Sequence, residues 1–204
     1  MNLISCNLDE KFGRQLFQIA NILEYASLND KKIVFREDIY PDLLISFFNN
    51  KFSLLTEEQF DNTNISILSH YSYNFESLSQ NTRKKMQYLV YANSDYMYTA
   101  YKIYNDIKQH FHCDIDNDYV AIHFNDTTCE NIGQEVLDFI DSKHIINFGS
   151  TTYKPNEYKV DCDNKYIKFI LLSFFKYHVC NQNTEVECAS FISNYSDKKI
   201  IKCL

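Results

Sequence analysis

Phe12-Gly13-Arg14-Gln15-Leu16-Phe17-Gln18-Ile19-Ala20 decides the fold, because it joins a short strand to a long amphipathic helix. Before it, Leu3-Ile4-Ser5-Cys6 is a brief apolar run of strand type. After it, Leu16, Ile19, Ala20, Leu23 and Ala26 recur at helical spacing, and Lys32-Ile33-Val34-Phe35 is a second β-rich run. Strand, loop, helix, strand is a βαβ unit whose first loop opens at the carboxyl edge of a parallel sheet, where such folds bind ligands. Gly13, one of three glycines in the chain, is expected just before the helix, where a tight turn or a close backbone approach to a ligand needs it.

Downstream, Arg36 to Pro41 is a polar exit from the strand. Leu43 to Phe48 reads as a short helix or strand, residues 51–60 as loop, and Ile65 to Leu68 as another strand. His70-Tyr71-Ser72-Tyr73-Asn74-Phe75 is an aromatic patch, either a hydrophobic bridge into the next helix or a wall of a substrate cleft. Residues 76–112 carry helical periodicity with a break near Asn93-Ser94-Asp95. The acidic Asp114–Asp118 segment lacks the glycine and terminal glutamate of a calcium loop, so it reads as a solvated turn and a domain boundary.

Tyr119-Val120-Ala121-Ile122-His123-Phe124 is a buried strand ending in Asn125-Asp126-Thr127-Thr128. A polar cluster of His123, Asn125 and Asp126 at a strand's carboxyl end is where an α/β fold places chemistry; it is equally a capped turn into the next helix. Helix, strand, helix, strand, helix and strand follow at 134–140, 145–148, 165–177, 177–180, 185–195 and 199–201. The second half therefore alternates like the first, and the fold class is α/β.

Composition bounds the function. A chain of 204 residues holds one large domain or two small ones, and 16% aromatic content excludes a disordered chain. The net charge of −7, with no basic stripe, argues against a nucleic-acid partner, and Arg83-Lys84-Lys85 reads as a solvated helix face. Seven scattered cysteines without a CxxC pair suggest neither a zinc site nor a disulfide scaffold; reduced thiols and a cytoplasmic setting are expected. There is no leader pattern and no apolar run of about 18 residues, so a soluble chain without a membrane span is expected. Abundant Asn, Lys, Ile and Tyr suggest an AT-rich coding genome, such as a low-GC bacterium or a large DNA virus, the latter placing the chain in host cytoplasm or a virion.

The FGRQLFQIA stretch resembles the N-terminal loop and helix of glycosyltransferase family 11, the α-1,2-fucosyltransferase-like proteins, which read G-x-L-G-N-Q-L/M-F-Q-x-A. The His70–Phe75 patch is similar to the family's Tyr-rich segment, YVAIHFND to its strand ending in H-x-R-R-G-D, and residues 169–201 to its C-terminal elements. The resemblance implies a GT-B-like architecture: two Rossmann-like halves with parallel sheets flanked by helices, facing each other across a cleft. Residues 1–112 would be the acceptor-side half with a helical linker, and residues 113–204 a shortened nucleotide-sugar half. It also implies inverting, metal-independent transfer of fucose from GDP-fucose to a glycan hydroxyl, with the GDP-sugar as substrate and no cofactor.

Carried over by position, His123 and Asp126 would orient donor and acceptor, and Gly13, Arg14, Gln15, Asn125, Asn183 and Thr184 would meet donor or phosphate. Departures are visible. Asn125 stands where the motif arginine would offset diphosphate charge, and Glu185 and Glu187 fall in the family's "NSTFSWW" element. Asp126, Glu185 and His123 are all candidates for the general base. The two functions to weigh are a divergent glycosyltransferase and a catalytically inactive relative acting as a carbohydrate-binding or structural protein.

Overall fold

The structure is a computed structural model that describes residues 2–71, 74–113, 118–123, 134–149, 157–181 and 183–202. The chain divides into two compact units, Met1–Ser94 and Asp95–Leu204. Each unit is built on one all-parallel sheet flanked by helices.

In the first unit, β1 (Leu3–Cys6) leads into α1 (Phe12–Leu28), β2 (Lys32–Arg36), a π-helical turn at Asp42–Phe47, β3 (Ser53–Leu55), α2 (Glu57–Asp61), β4 (Ile65–Leu68) and α3 (Gln80–Val90). Sheet order is β3-β2-β1-β4, with Leu3 opposite both Lys32 and Ile65 and Cys6 opposite Leu68. Leu16, Ile19, Ala20 and Leu23 of α1 are buried, as their spacing predicts. The helix stops at Asp30, which takes the left-handed φ of 49° while the Lys31 N–H reaches back to the Ala26 carbonyl at 3.0 Å. That closing geometry usually falls to glycine; in a chain with three glycines, a short polar side chain does it. Phe75 is buried and stacks on Phe17 with ring centres 3.9 Å apart, so the end of the aromatic patch bridges into the core. Ser72 and Tyr73 lie outside the described residues.

In the second unit, α4 (Ser94–Phe111), β5 (Tyr119–His123), α5 (Gln134–Asp141), β6 (His144–Asn147), β7 (Tyr158–Lys159), α6 (Lys165–Leu172), β8 (Tyr177–Cys180), α7 (Thr184–Ile192) and β9 (Lys199–Lys202) form a sheet of order β7-β6-β5-β8-β9. β5 is buried along almost its whole length, as a central parallel strand covered on both faces requires. Val120, Ile122, Ile140, Ile145 and Val179 form one core cluster, with Phe139 and Tyr177 packed against it. Each such fully buried side chain contributes about 1.5–3 kcal/mol relative to exposure. α4 packs within this unit through Tyr101 and Tyr104 on Phe174 and Phe111 on Tyr119. The compact units thus separate at Ser94, one helix before the 112/113 boundary drawn from sequence.

Both sheets have the three-two-one-four strand order of Rossmann-like halves, and the fold class is the α/β one expected. Local expectations need correcting. Residues 51–60 are not loop: they hold β3 and α2, the latter started by a capping box between Thr56 and Gln59. Gly13 lies inside the first turn of α1 rather than before it, and no described glycine has positive φ. A left-handed turn is therefore not its role, and close packing in a buried position is. α6 ends at Leu172 and α7 at Ile192, each earlier than the periodicity suggests, and β7 has only two residues. No described helix is long and apolar enough to cross a membrane.

Candidate functional site

In parallel sheets of this order, the first strand is the point where connections leave in opposite directions, opening a crevice at the strands' carboxyl ends. The first unit forms its crevice between β1 and β4. The loop after β1 is held there by side chains of α1. Gln15 Nε2 donates to the Asp9 carbonyl at 2.7 Å, and Gln18 Oε1 accepts from the Asp9 N–H at 2.7 Å. Both backbone polar groups of Asp9, in successive peptide units, are thus held by two glutamines one turn apart. The Asp9 carboxylate accepts from the Lys11 N–H at 2.9 Å and pairs with Arg14 at 3.2 Å. The Lys11 amide beside it holds the Asp9 carboxyl below the usual carboxylate range. Arg14 keeps 54% of its side chain exposed while paired. On β4's side, Tyr71 donates to the Leu68 carbonyl at 2.7 Å, and burial pushes the Cys6 thiol up to about 12, with the Tyr71 hydrogen bond opposing.

Gly13, Arg14 and Gln15 therefore gather at one loop, and Gln15, almost fully buried, acts by shaping it. Gln18 and Asp9 belong to the same arrangement and were not singled out from sequence. The signal was present in Gln15 and Gln18, whose i, i+3 spacing puts both on one helix face.

The second unit's crevice lies between β5 and β8. His123 ends β5 opposite Cys180, which ends β8, so His123, Asn181 and the start of α7 meet at one edge. Asn183 caps α7: its Oδ1 accepts from the Glu185 N–H at 2.8 Å and the Val186 N–H at 3.2 Å. Thr184 is the first residue of that helix. Asn125 and Asp126 lie outside the described residues.

Other groups at this edge were not predicted. Asn147, fully buried at the end of β6 and one strand over from β5, donates to Glu157 at 2.8 Å and accepts from the Gly149 N–H at 2.8 Å. α6, capped by Asn164, packs against α7 and starts with Lys165, with Lys168 one turn on. Burial raises the Glu185 carboxyl above its ordinary range, and Lys165 and Lys168 work against that rise. Beneath the edge, His178 on β8 is fully buried and its imidazole is pushed down to about 4 by burial; Nε2 faces the Phe175 carbonyl at 3.0 Å. That contact makes Nε2 the protonated nitrogen of a neutral ring. The nearby Lys198 ammonium also disfavours its imidazolium.

The second edge thus brings together a half-buried imidazole, a carboxyl of raised proton affinity, two lysines and two capped helix starts. Such a set can hold an anionic group and accept a proton. Among the described residues, no three His, Cys, Asp or Glu side chains gather closely enough to hold a metal ion.

No family model matches the chain, and no curated protein matches it in sequence. Among solved structures, the chain is similar to the crystal structure of POFUT1 in complex with GDP-fucose, with a TM-score of 0.56 and 11% identity over 98% of this chain and 97% of that one. It also matches NodZ, an α-1,6-fucosyltransferase co-crystallized with GDP, with a TM-score of 0.49 and 11% identity over 92% of this chain and 90% of that one. At such identity the likeness concerns the fold, which is GT-B-like.

Proposed function

We propose that the chain is a divergent glycosyltransferase related to family 11, moving a sugar from a GDP-linked donor to a glycan hydroxyl with inversion, in a reducing compartment. The observation that carries this reading is the second unit's crevice, where His123, Glu185, Lys165, Lys168 and the capped start of α7 share the edge that nucleotides use in Rossmann-like halves. The likeness to a GDP-fucose complex supplies the donor class to test first.

In the proposed reaction, the acceptor oxygen forms a bond to the anomeric carbon as the bond to the diphosphate breaks, and the hydroxyl proton passes to a base. Glu185 suits that base, because its surroundings raise its proton affinity. His123 and Asp126 orient donor and acceptor, while Asn125, Asn183 and Thr184 meet the donor. Lys165 and Lys168 take over the charge that Asn125 cannot supply, and Gly13, Arg14 and Gln15, in the first turn of α1, are the first unit's candidates for meeting phosphate.

Thermal unfolding with GDP, GDP-fucose, UDP and UDP-sugars tests this. A GDP-type ligand at 100 times its Kd stabilises by about 2.7 kcal/mol, or roughly 5–10 °C for a chain of this size. No shift across the panel refutes the proposal. A shift without release of GDP in the presence of glycan acceptors favours the inactive, sugar-binding relative, a reading supported by the two acids in α7's first turn.

A further inference from the structure

A groove of about 570 Å³ opens in the first unit between the end of α1, the starts of β2 and β3, and α3. That volume lies within the range of small-molecule sites. Lys31, Lys32, Lys51 and Lys85 line it, with Tyr88, Phe52 and a single carboxylate, Asp30. The protein as a whole carries −7, so four lysines against one acidic residue in the lining of one groove run against the composition.

Among the described residues none of these four lysines is ion-paired. Lys31 donates to the Ser66 hydroxyl at 3.3 Å and sits 5.6 Å from the Tyr25 ring centre, and Lys51 sits 5.3 Å from that of Tyr88. The carboxylate that Lys85 feels is Glu24, which accepts hydrogen bonds from the Ser79 N–H and the hydroxyls of Ser79 and Thr82. Lys31 and Lys85 are half-buried, so their charges are screened less than those of free surface lysines. Gathered like charges repel, and the ring contacts of Lys31 and Lys51 and the field of Glu24 on Lys85 offset only part of that. A ligand with several negative oxygens offsets the rest.

We propose that this groove binds a compact multivalent oxyanion carrying two or more phosphate or sulfate groups. Tyr88, 63% exposed at its rim, provides an apolar platform for the ligand's carbon skeleton. The groove lies toward the amino ends of β2 and β3, whereas the Asp9–Arg14 loop lies at the carboxyl end of β1. It is therefore distinct from the donor-binding edge and stands independently of the glycosyltransferase reading.

Calorimetric titration of the full chain with inorganic tripolyphosphate in one arm and a sulfated oligosaccharide in the other tests the idea. At least one arm is expected to show single-site binding that weakens about tenfold or more between 50 and 200 mM salt, as contacts to several anionic groups require. Lys51→Glu with Lys85→Glu is expected to weaken it by a further factor of about ten or more. The arm that binds identifies a phosphate or a sulfated-sugar source. No binding in either arm overturns the proposal, as does binding that survives the double charge reversal or falls equally in Arg14→Ala. Should the double variant fail to fold, Lys51→Gln takes its place, with an expected loss of about threefold; unchanged affinity there also overturns it.

Discussion

The two glutamines on the backbone of Asp9 give the sharpest test of how FGRQLFQIA works. Gln15→Leu removes the donor to the Asp9 carbonyl and Gln18→Leu removes the acceptor for its N–H, in side chains of similar volume. Gln15 is 3% exposed, so the stranded carbonyl has little water to turn to, and the cost is about 1–2 kcal/mol. The Gln18 variant costs about 1 kcal/mol, because its bond is only partly buried. In thermal unfolding, the Gln15 change lowers Tm by roughly 2–8 °C for a chain of this length. The double variant is expected to lose less than the sum. Both act on the backbone of Asp9, so once either glutamine is gone that backbone gains water and the second loss costs less. If the loop seats phosphate, the same variants weaken GDP binding about tenfold when the competent loop falls to a tenth of the population. Two single variants within about 0.3 kcal/mol of wild type would refute the grip, since that lies below the net worth of even one ordinary hydrogen bond.

Other consequences follow from the same geometry. Asn183→Ala, which strips the cap from α7, is expected to cost about 1 kcal/mol in urea unfolding, and Asn183→Asp to retain most of it. Glu24 loses solvent on folding, but hydrogen bonds from Ser79 and Thr82 outweigh that and hold its carboxyl below the ordinary value of 4.5. Its contribution is therefore present above about pH 4.5 and lost as pH falls through the lower folded value, so wild type and Glu24→Gln converge in stability in acid. Glu185 has the opposite sign: a bound diphosphate would raise its carboxyl further. GDP affinity is thus expected to rise as pH falls through that raised value, and to lose this slope in Glu185→Gln.

Much of the fold could be read from residues because parallel strands covered on both faces are short, nearly unbroken apolar runs. Leu3 to Cys6, Tyr119 to His123 and Tyr177 to Cys180 are all of that kind. What failed was short or polar. β3 has three residues and β7 two, too few for any period to register. α2 was announced by Thr56-x-x-Gln59, a capping box passed over because no apolar run follows it. Helix ends were overrun at α6 and α7 because apolar residues continue past both last turns, at Phe174-Phe175 and at Tyr195. Which groups share a carboxyl edge was the least legible part. Asn147 with Glu157, and Lys165 with Lys168, come to the edge only through strand order, which is set by pairings between distant segments.

The helix starts at the two carboxyl edges are electrically unlike, and under the proposed function this bears on how a diphosphate would be held. α1 begins at Lys11 without a capping side chain and has no acid in its first turn; Arg14 follows within that turn. α7 begins under the Asn183 cap and carries Glu185 and Glu187 in its first turn, with Glu187 tied to Lys202. A carboxylate at a helix start satisfies the macrodipole by about 0.3–1 kcal/mol, so α7 has already met, from within, part of the demand that an anion would otherwise fill. Positive charge for a ligand at that edge must then come from side chains, and Lys165 and Lys168 are the pair whose field reaches Glu185. In this arrangement the group that opposes an incoming phosphate is also the one whose proton affinity is raised, so a proton taken up by Glu185 lowers the repulsion. Under the proposed function, lysines on α6 and a titratable carboxyl on α7 would stand in for a permanent cation at the strand end, and diphosphate binding would then depend on pH.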